Sequence, residues 1–297
     1  MNTKFSNKIY NINFILIVMI VLLHSSCMLL YDGNANIYIL KIVSTFCDSA
    51  VPLFFVISSY LFYRCLDYDG IFSKIKRRFK TLVVPYFLWG ILFAFYYYLI
   101  TKIPFVNNFF TSPFDFTLKN TFYYLIMASC AQTMWFVRCL IIYVCFSPLV
   151  FFVLQRKNIF FSIIILLLLL NLFYSISYSS PIFWAPIYLF GAYMSKYFYN
   201  DIENMLSCKI KKCSIFSCIV LICTVIIANF FDEYSRIYYI YRMVSPFLLF
   251  IFLSGVKKLE ENRFNYGKFS FWIFCIHLPI IQIIKVATFE MIHSSWE

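Results

Sequence analysis

Between Ile159 and Ile176 about eighteen residues pass without a charge, the length of helix that matches the hydrocarbon thickness of a bilayer. Such runs recur. Apolar segments extend over approximately 9–30, 46–63, 81–100, 134–154, 159–176, 182–198, 213–231, 237–255 and 268–289, several bounded by proline or charged turns. No aqueous core in a chain of 297 residues needs about nine of them. The composition agrees: 63% of residues are hydrophobic, 13% are charged, and mean hydropathy is +0.81. The sequence therefore predicts an all-α fold, a polytopic transmembrane helical bundle read as one domain over 1–297. The first run follows Lys4 and Lys8, as a secretory signal would. It is longer than a signal core, it contains a histidine, and Ser25-Ser26-Cys27 lacks the small-residue spacing of a cleavage site, so it reads as a retained helix.

Placing the N-terminus in the cytoplasm puts about 18 of the 25 Lys and Arg on the inner side, the densest group being Arg64, Lys74, Lys76, Arg77, Arg78 and Lys80. Inner loops then alternate with basic-poor outer ones along the whole chain, so the net charge of +12 is a property of topology. Nucleic acid is a poor fit as partner, because the cations lie in short loops between apolar runs. The expected location is the cell inner (plasma) membrane, crossed many times, with membrane lipids as partners. Thr121 to Thr133 is too short to cross and reads as interfacial or re-entrant. Most of the eleven cysteines fall inside apolar runs, where cysteine behaves as a small hydrophobe, and their spacing suggests no metal site.

An ionisable group inside a span costs about 2.5–3.5 kcal/mol on insertion scales, so each needs a partner, a water-filled cavity or a function. His24 lies about fourteen residues into the first helix, roughly 21 Å from the cytoplasmic edge of a core about 30 Å thick, hence in the outer half. Arg138, about four residues into the fourth span from outside, and Arg242, about five into the eighth, reach a similar depth. Asp48 begins the second span on that side, and Lys285 and Glu290 fall near the outer end of the ninth. If these helices face one another, a polar cluster forms in the outer leaflet.

An imidazole titrates near neutral pH, so His24 is suited to take a proton from a sugar hydroxyl. Position alone fits equally a histidine held by a neighbouring helix. Arg138 can orient a carboxylate, phosphate or carbonyl, while snorkelling or structural pairing also fits Arg138 and Arg242. His277 lies roughly 13 Å into the ninth span, near the midplane. His293, in the outer tail, has no assigned role. On the inner side Lys74 to Lys80 reads K-I-K-R-R-F-K, a density of cations that suits the phosphates of a nucleotide-like cofactor and also suits anionic lipid headgroups.

Five elements in order resemble the acyltransferase-3 family of integral membrane acyltransferases. They are F-I-L-I-V-M-I-V-L-L-H-S ending at Ser25, A-V-P-L-F-F-V-I-S-S-Y-L-F from Ala50 to Phe62, and the basic run entering T-L-V-V-P-Y-F-L-W, Thr81 to Trp89. M-W-F-V-R-C-L, Met134 to Leu140, is similar to the family's W-F-x-R element, and F-S-F-W-I-F-C-I-H-L-P, Phe269 to Pro279, to its late histidine helix. The resemblance implies an O-acetyltransferase. It would move an acetyl (acyl) group from cytoplasmic acetyl-CoA (acyl-CoA), with no metal, onto a hydroxyl of an envelope polysaccharide such as O-antigen or of a lipid-linked glycan. It further implies proton abstraction by His24, cofactor contacts from Asn13, Arg77, Arg78 and Lys80, and substrate positioning by Trp135, Arg138 and His277.

The sequence departs from the family pattern in places. The family's basic residue eleven positions before the histidine is Asn13 here, which can hydrogen-bond but brings no charge. Asp48 replaces an arginine often found shortly before A-V-P, and Ser59 replaces a glycine. Ten helices are usual in the family, so about nine imply a domain lacking the last one. On this reading acyl-CoA docks its phosphates on Arg77, Arg78 and Lys80, threads its thioester up the bundle and meets the acceptor near His24. The histidine then deprotonates the acceptor directly or after carrying the acyl group itself. Two rival readings are a glycan or small-molecule transporter, which the bundle and its intramembrane charges support, and an inactive relative kept as a membrane partner. No repeat accompanies the transporter reading, and neither the acceptor sugar nor the oligomeric state is legible.

Overall fold

The computed structural model describes residues 3–31, 37–100, 102, 117–127, 133–205 and 211–294, without the side chains of 26–31, 100, 204–205, 211 and 285–294. Lys285, Glu290 and His293 are thus outside the described side chains. The apolar runs are helical: α1 (Thr3–Tyr31), α2 (Ile37–Asp48), α3 (Ala50–Tyr63), α4 (Gly70–Ile100), α5 (Leu118–Met127), α6 (Met134–Cys145) and α7 (Ser147–Val153). The chain continues as α8 (Lys157–Phe173), α9 (Pro181–Tyr197), α10 (Tyr199–Met205), α11 (Lys211–Ala228), α12 (Arg236–Ser254), α13 (Lys258–Glu261) and α14 (Ser270–Ser294). No strand occurs among the described residues, as an all-α membrane bundle requires.

By length and hydropathy five stretches can cross a bilayer: Thr3–Ser25, Ile37–Tyr63, Gly70–Leu99, Arg236–Ser254 and Asn265–Ile284. A sixth is the pair α6 and α7, bent by 58°. Pro148 explains the bend. It has no N–H for the Val144 carbonyl four residues back, and the Ser147 hydroxyl donates to that carbonyl instead, at 2.7 Å. The apolar helices α8 and α11 are shorter.

Three boundaries differ from the sequence reading. The second run starts as helix at Ile37 and breaks at Ser49, whose hydroxyl donates to Phe46 O at 2.6 Å. The basic run 74–80 is not a loop but part of the first turns of α4, because lysine and arginine are good helix formers. The short segment expected at the interface contains α5, which buries none of its residues; positions 128–132 lie outside the described residues.

The helices form two compact units. The first comprises Met1–Leu66, Phe151–Ile176 and Ile182–Phe274, and the second Asp67–Val150, Ser177–Pro181 and Cys275–Glu297. In the first unit α1 packs on α2 and α3, while α12 packs on α11 and α3. At the α3–α9 crossing a Cβ on Gly191 would lie 2.7 Å from the Val56 carbonyl oxygen, so only glycine fits without a shift. Ser195 seals the same pair of helices by donating to Tyr60 O at 2.7 Å. In the second unit α4 packs on α6 and α5, and the Tyr86 hydroxyl donates to Ile126 O at 2.9 Å.

Long-range bonds in the first unit join ends that the sequence topology places on one side. Lys8 meets Ser254 and Glu260, and Arg64 meets Glu203, all on the inner side. Asp48 meets Arg242, and Thr45 meets Asn229 and Tyr241, on the outer side.

Candidate functional site

Helix α1 carries His24 and Asn13. Eleven residues make about three turns, so both side chains lie on nearly one face, separated by a rise of about 16 Å. Both are half-buried, and Ile17 and Ile20 are buried between them. The Oδ1 atom of Asn13 is buried with no hydrogen-bond partner among the described residues. An amide oxygen can only accept a hydrogen bond.

The inner end of α1 is fastened along one side. Asn11 donates to Leu259 O (3.0 Å) and Asn262 O (2.7 Å) and accepts from Phe264 N (2.8 Å). One turn earlier Asn7 donates to Glu260 O and accepts from Arg263 Nε (3.1 Å). Between them Lys8, 0% exposed, donates to Ser254 O (2.6 Å) and to Glu260 Oε1 (2.5 Å). Lys8 therefore cannot supply the charge that Asn13 lacks: its ammonium is engaged, and five residues turn it about 140° round the helix from Asn13.

Of the polar cluster expected near the outer ends, the first unit holds one charge pair. Arg242 Nε donates to Asp48 Oδ2 at 2.7 Å, with side-chain exposures of 8% and 6%. Its Nη1 donates to Glu233 O at 2.9 Å, and the guanidinium stands 4.5 Å from the Tyr238 ring. Asp48, where the family often has an arginine, is thus matched by an arginine from α12.

The second unit carries the remaining candidates. On α6, Trp135 meets Tyr178 edge to face, with centroids 5.0 Å apart. Arg138 Nη2 and Cys139 Sγ donate to Ser179 O at 3.4 and 3.7 Å, and Tyr143 donates to Pro181 O. One face of α6 thus secures the segment 177–181. Arg138 has five N–H donors and, among the described residues, this single long bond engages one of them. On α4 the helical repeat turns Lys74, Arg77 and Arg78 to one side and Lys76 and Lys80 to the other; Arg77 and Lys80 are exposed and Arg78 half-buried. His277 on α14 is buried. The structure therefore brings Asn13 to His24's face and Trp135 beside Arg138, each within its own unit.

Sequence reasoning treated Lys8 as a topological charge and passed over Asn11 and Tyr239. The signal for Lys8 was present in Glu260 and Glu261, acidic residues in an inner segment that otherwise carries cations. Asn11 gave no signal, since an asparagine four residues from another in an apolar helix names no partner.

A chain of this kind, a helical bundle with several helices long and apolar enough to cross a bilayer and hydrogen-bonding side chains set on them, belongs to the class of polytopic membrane proteins. The model of the acyltransferase-3 family, described as an acyltransferase domain, matches residues 9–294. The chain belongs to that family, and it is a membrane acyltransferase. It matches no curated protein and no solved structure.

Proposed function

We propose that this acyltransferase is an O-acetyltransferase of the inner (plasma) membrane that moves acetyl from cytoplasmic acetyl-CoA to a hydroxyl of an envelope polysaccharide or lipid-linked glycan. The observation that carries the reading is the α1 face. An imidazole and a buried amide oxygen with no partner among the described residues share one side of a helix whose inner end is clamped. Such a helix holds a base in place while substrates change. His24 takes the acceptor's proton, the attacking oxygen forms the new ester bond, and the proton leaves with the CoA thiol. Asn13 Oδ1 suits an amide N–H such as those of the pantetheine arm. Arg77, Arg78 and Lys80 suit the phosphates of CoA, and Trp135, Arg138 and His277 suit positioning of the acceptor and of the acyl carbonyl.

Purified protein in lipid nanodiscs, given labelled acetyl-CoA and a de-O-acylated envelope-polysaccharide extract, should release CoA and label the glycan. His24→Ala should abolish both at unchanged thermal stability. Wild-type labelling by that variant would sink the base assignment, and movement of glycan without CoA release would indicate transport instead.

A further inference from the structure

We infer that Tyr239 is a further catalytic residue, whose phenol O–H donates to the carbonyl oxygen of the acyl thioester as that oxygen takes up negative charge. This deepens the reading above and rests on His24 as the base.

Tyr239 lies in the first turn of α12, is 5% exposed, and its hydroxyl is buried with no hydrogen-bond partner among the described residues. Tyr241 donates to Thr45 O (2.6 Å), Tyr86 to Ile126 O (2.9 Å) and Tyr197 to Leu154 O (2.8 Å); Tyr63, whose hydroxyl is also buried without a partner among the described residues, ends α3 beside Arg64 at the opposite, inner end of the unit. A buried hydroxyl left unmade is costly. Phenylalanine would escape that cost and keep the ring's edge-to-face contact with Phe183, at 5.0 Å and 76°. A phenol retained there points to an acceptor that arrives with a ligand.

Depth says which ligand. The contact of Lys8 with the Ser254 carbonyl marks a common inner level for α1 and α12. Counted outward from it, Tyr239 is about fifteen residues along α12 and His24 about sixteen along α1, rises of about 22 and 24 Å. The two therefore lie within one helical turn of the same depth, on antiparallel helices of one compact unit. Ser59, another buried hydroxyl of that unit without a partner among the described residues, is different. It adjoins Tyr60, whose ring lies 6.0 Å from Phe5 near the inner end.

The chemistry needs a donor at the level of the base. As the acceptor oxygen attacks the thioester carbon, its proton passes to His24 and the C=O electron pair moves onto oxygen, where the Tyr239 O–H holds it by a hydrogen bond without giving up the proton. Collapse re-forms C=O and breaks the C–S bond, and the thiolate leaves with the proton from the imidazolium. An acyl thioester and an alcohol become an ester and free CoA.

Tyr239→Phe, assayed in nanodiscs with labelled acetyl-CoA and the same polysaccharide extract, should lower kcat about 10- to 100-fold while KM for acetyl-CoA moves less than about threefold. Its melting temperature should equal or exceed that of wild type, since the deleted hydroxyl makes no bond among the described residues. Ser59→Ala should keep wild-type turnover. The inference is overturned if Tyr239→Phe keeps kcat within about twofold, if its melting temperature falls, or if Ser59→Ala loses as much activity. A failure of this inference alone leaves His24→Ala inactive and Tyr239→Phe active; a failure of the underlying reading leaves His24→Ala active.

Discussion

The ion pair between Asp48 and Arg242 offers a quantitative test of how the outer end is built. The two side chains are 6% and 8% exposed and meet at 2.7 Å, so removing one partner leaves a charge in a poorly solvated interior, at a cost of about 3–5 kcal/mol. The two single variants should differ. Asp48→Leu leaves Arg242 its bond to Glu233 O and its contact with the Tyr238 ring, so its cost belongs at the lower end, about 3 kcal/mol. Arg242→Met removes all three contacts at once and belongs at the upper end, about 5 kcal/mol. Replacing both together by apolar residues of similar volume should recover most of the loss, because no charge is left to solvate. Reversible unfolding in mixed micelles, followed by tryptophan fluorescence on all four proteins, gives the coupling energy. We expect it to exceed about 2 kcal/mol. A coupling under about 0.5 kcal/mol would mean the two charges are solvated independently, and the account of a buried, mutually neutralising pair would be wrong.

Lys8→Met should cost about 3 kcal/mol, the low end for a broken buried pair because Glu260 keeps 21% side-chain exposure; adding Glu260→Gln should restore much of it in the same unfolding assay. Asn11→Ala removes three hydrogen bonds, worth about 0.5–1.5 kcal/mol each, and limited proteolysis should then cut within 255–267 faster than in wild type. Gly191→Ala forces a Cβ against the Val56 backbone oxygen at 2.7 Å, which should lower stability by about 1–3 kcal/mol. A melting temperature equal to wild type would show that the α3–α9 crossing has slack.

Much of this protein is written along one dimension. Insertion into a bilayer sorts residues by depth, and depth follows from the length of apolar runs and the cations between them. The sequence alone therefore determined the all-α membrane bundle. It also placed Asp48 and Arg242 at matching depth, and five ordered motifs carried the family resemblance that the match over 9–294 confirmed.

The tertiary structure decided what depends on azimuth and packing. Arg242 reaches Asp48 across 194 residues and Lys8 reaches Glu260 across 252, and no local pattern says which face of a helix turns to which neighbour. For the same reason the sequence could not separate a basic residue that is exposed at the inner face, such as Arg77, from Lys8, which is wholly enclosed. Nor could it show that Asn13 and Tyr239 each keep a buried polar atom with no partner among the described residues. Whether a polar group is satisfied is a property of the finished three-dimensional neighbourhood, not of the residue or its place in the chain.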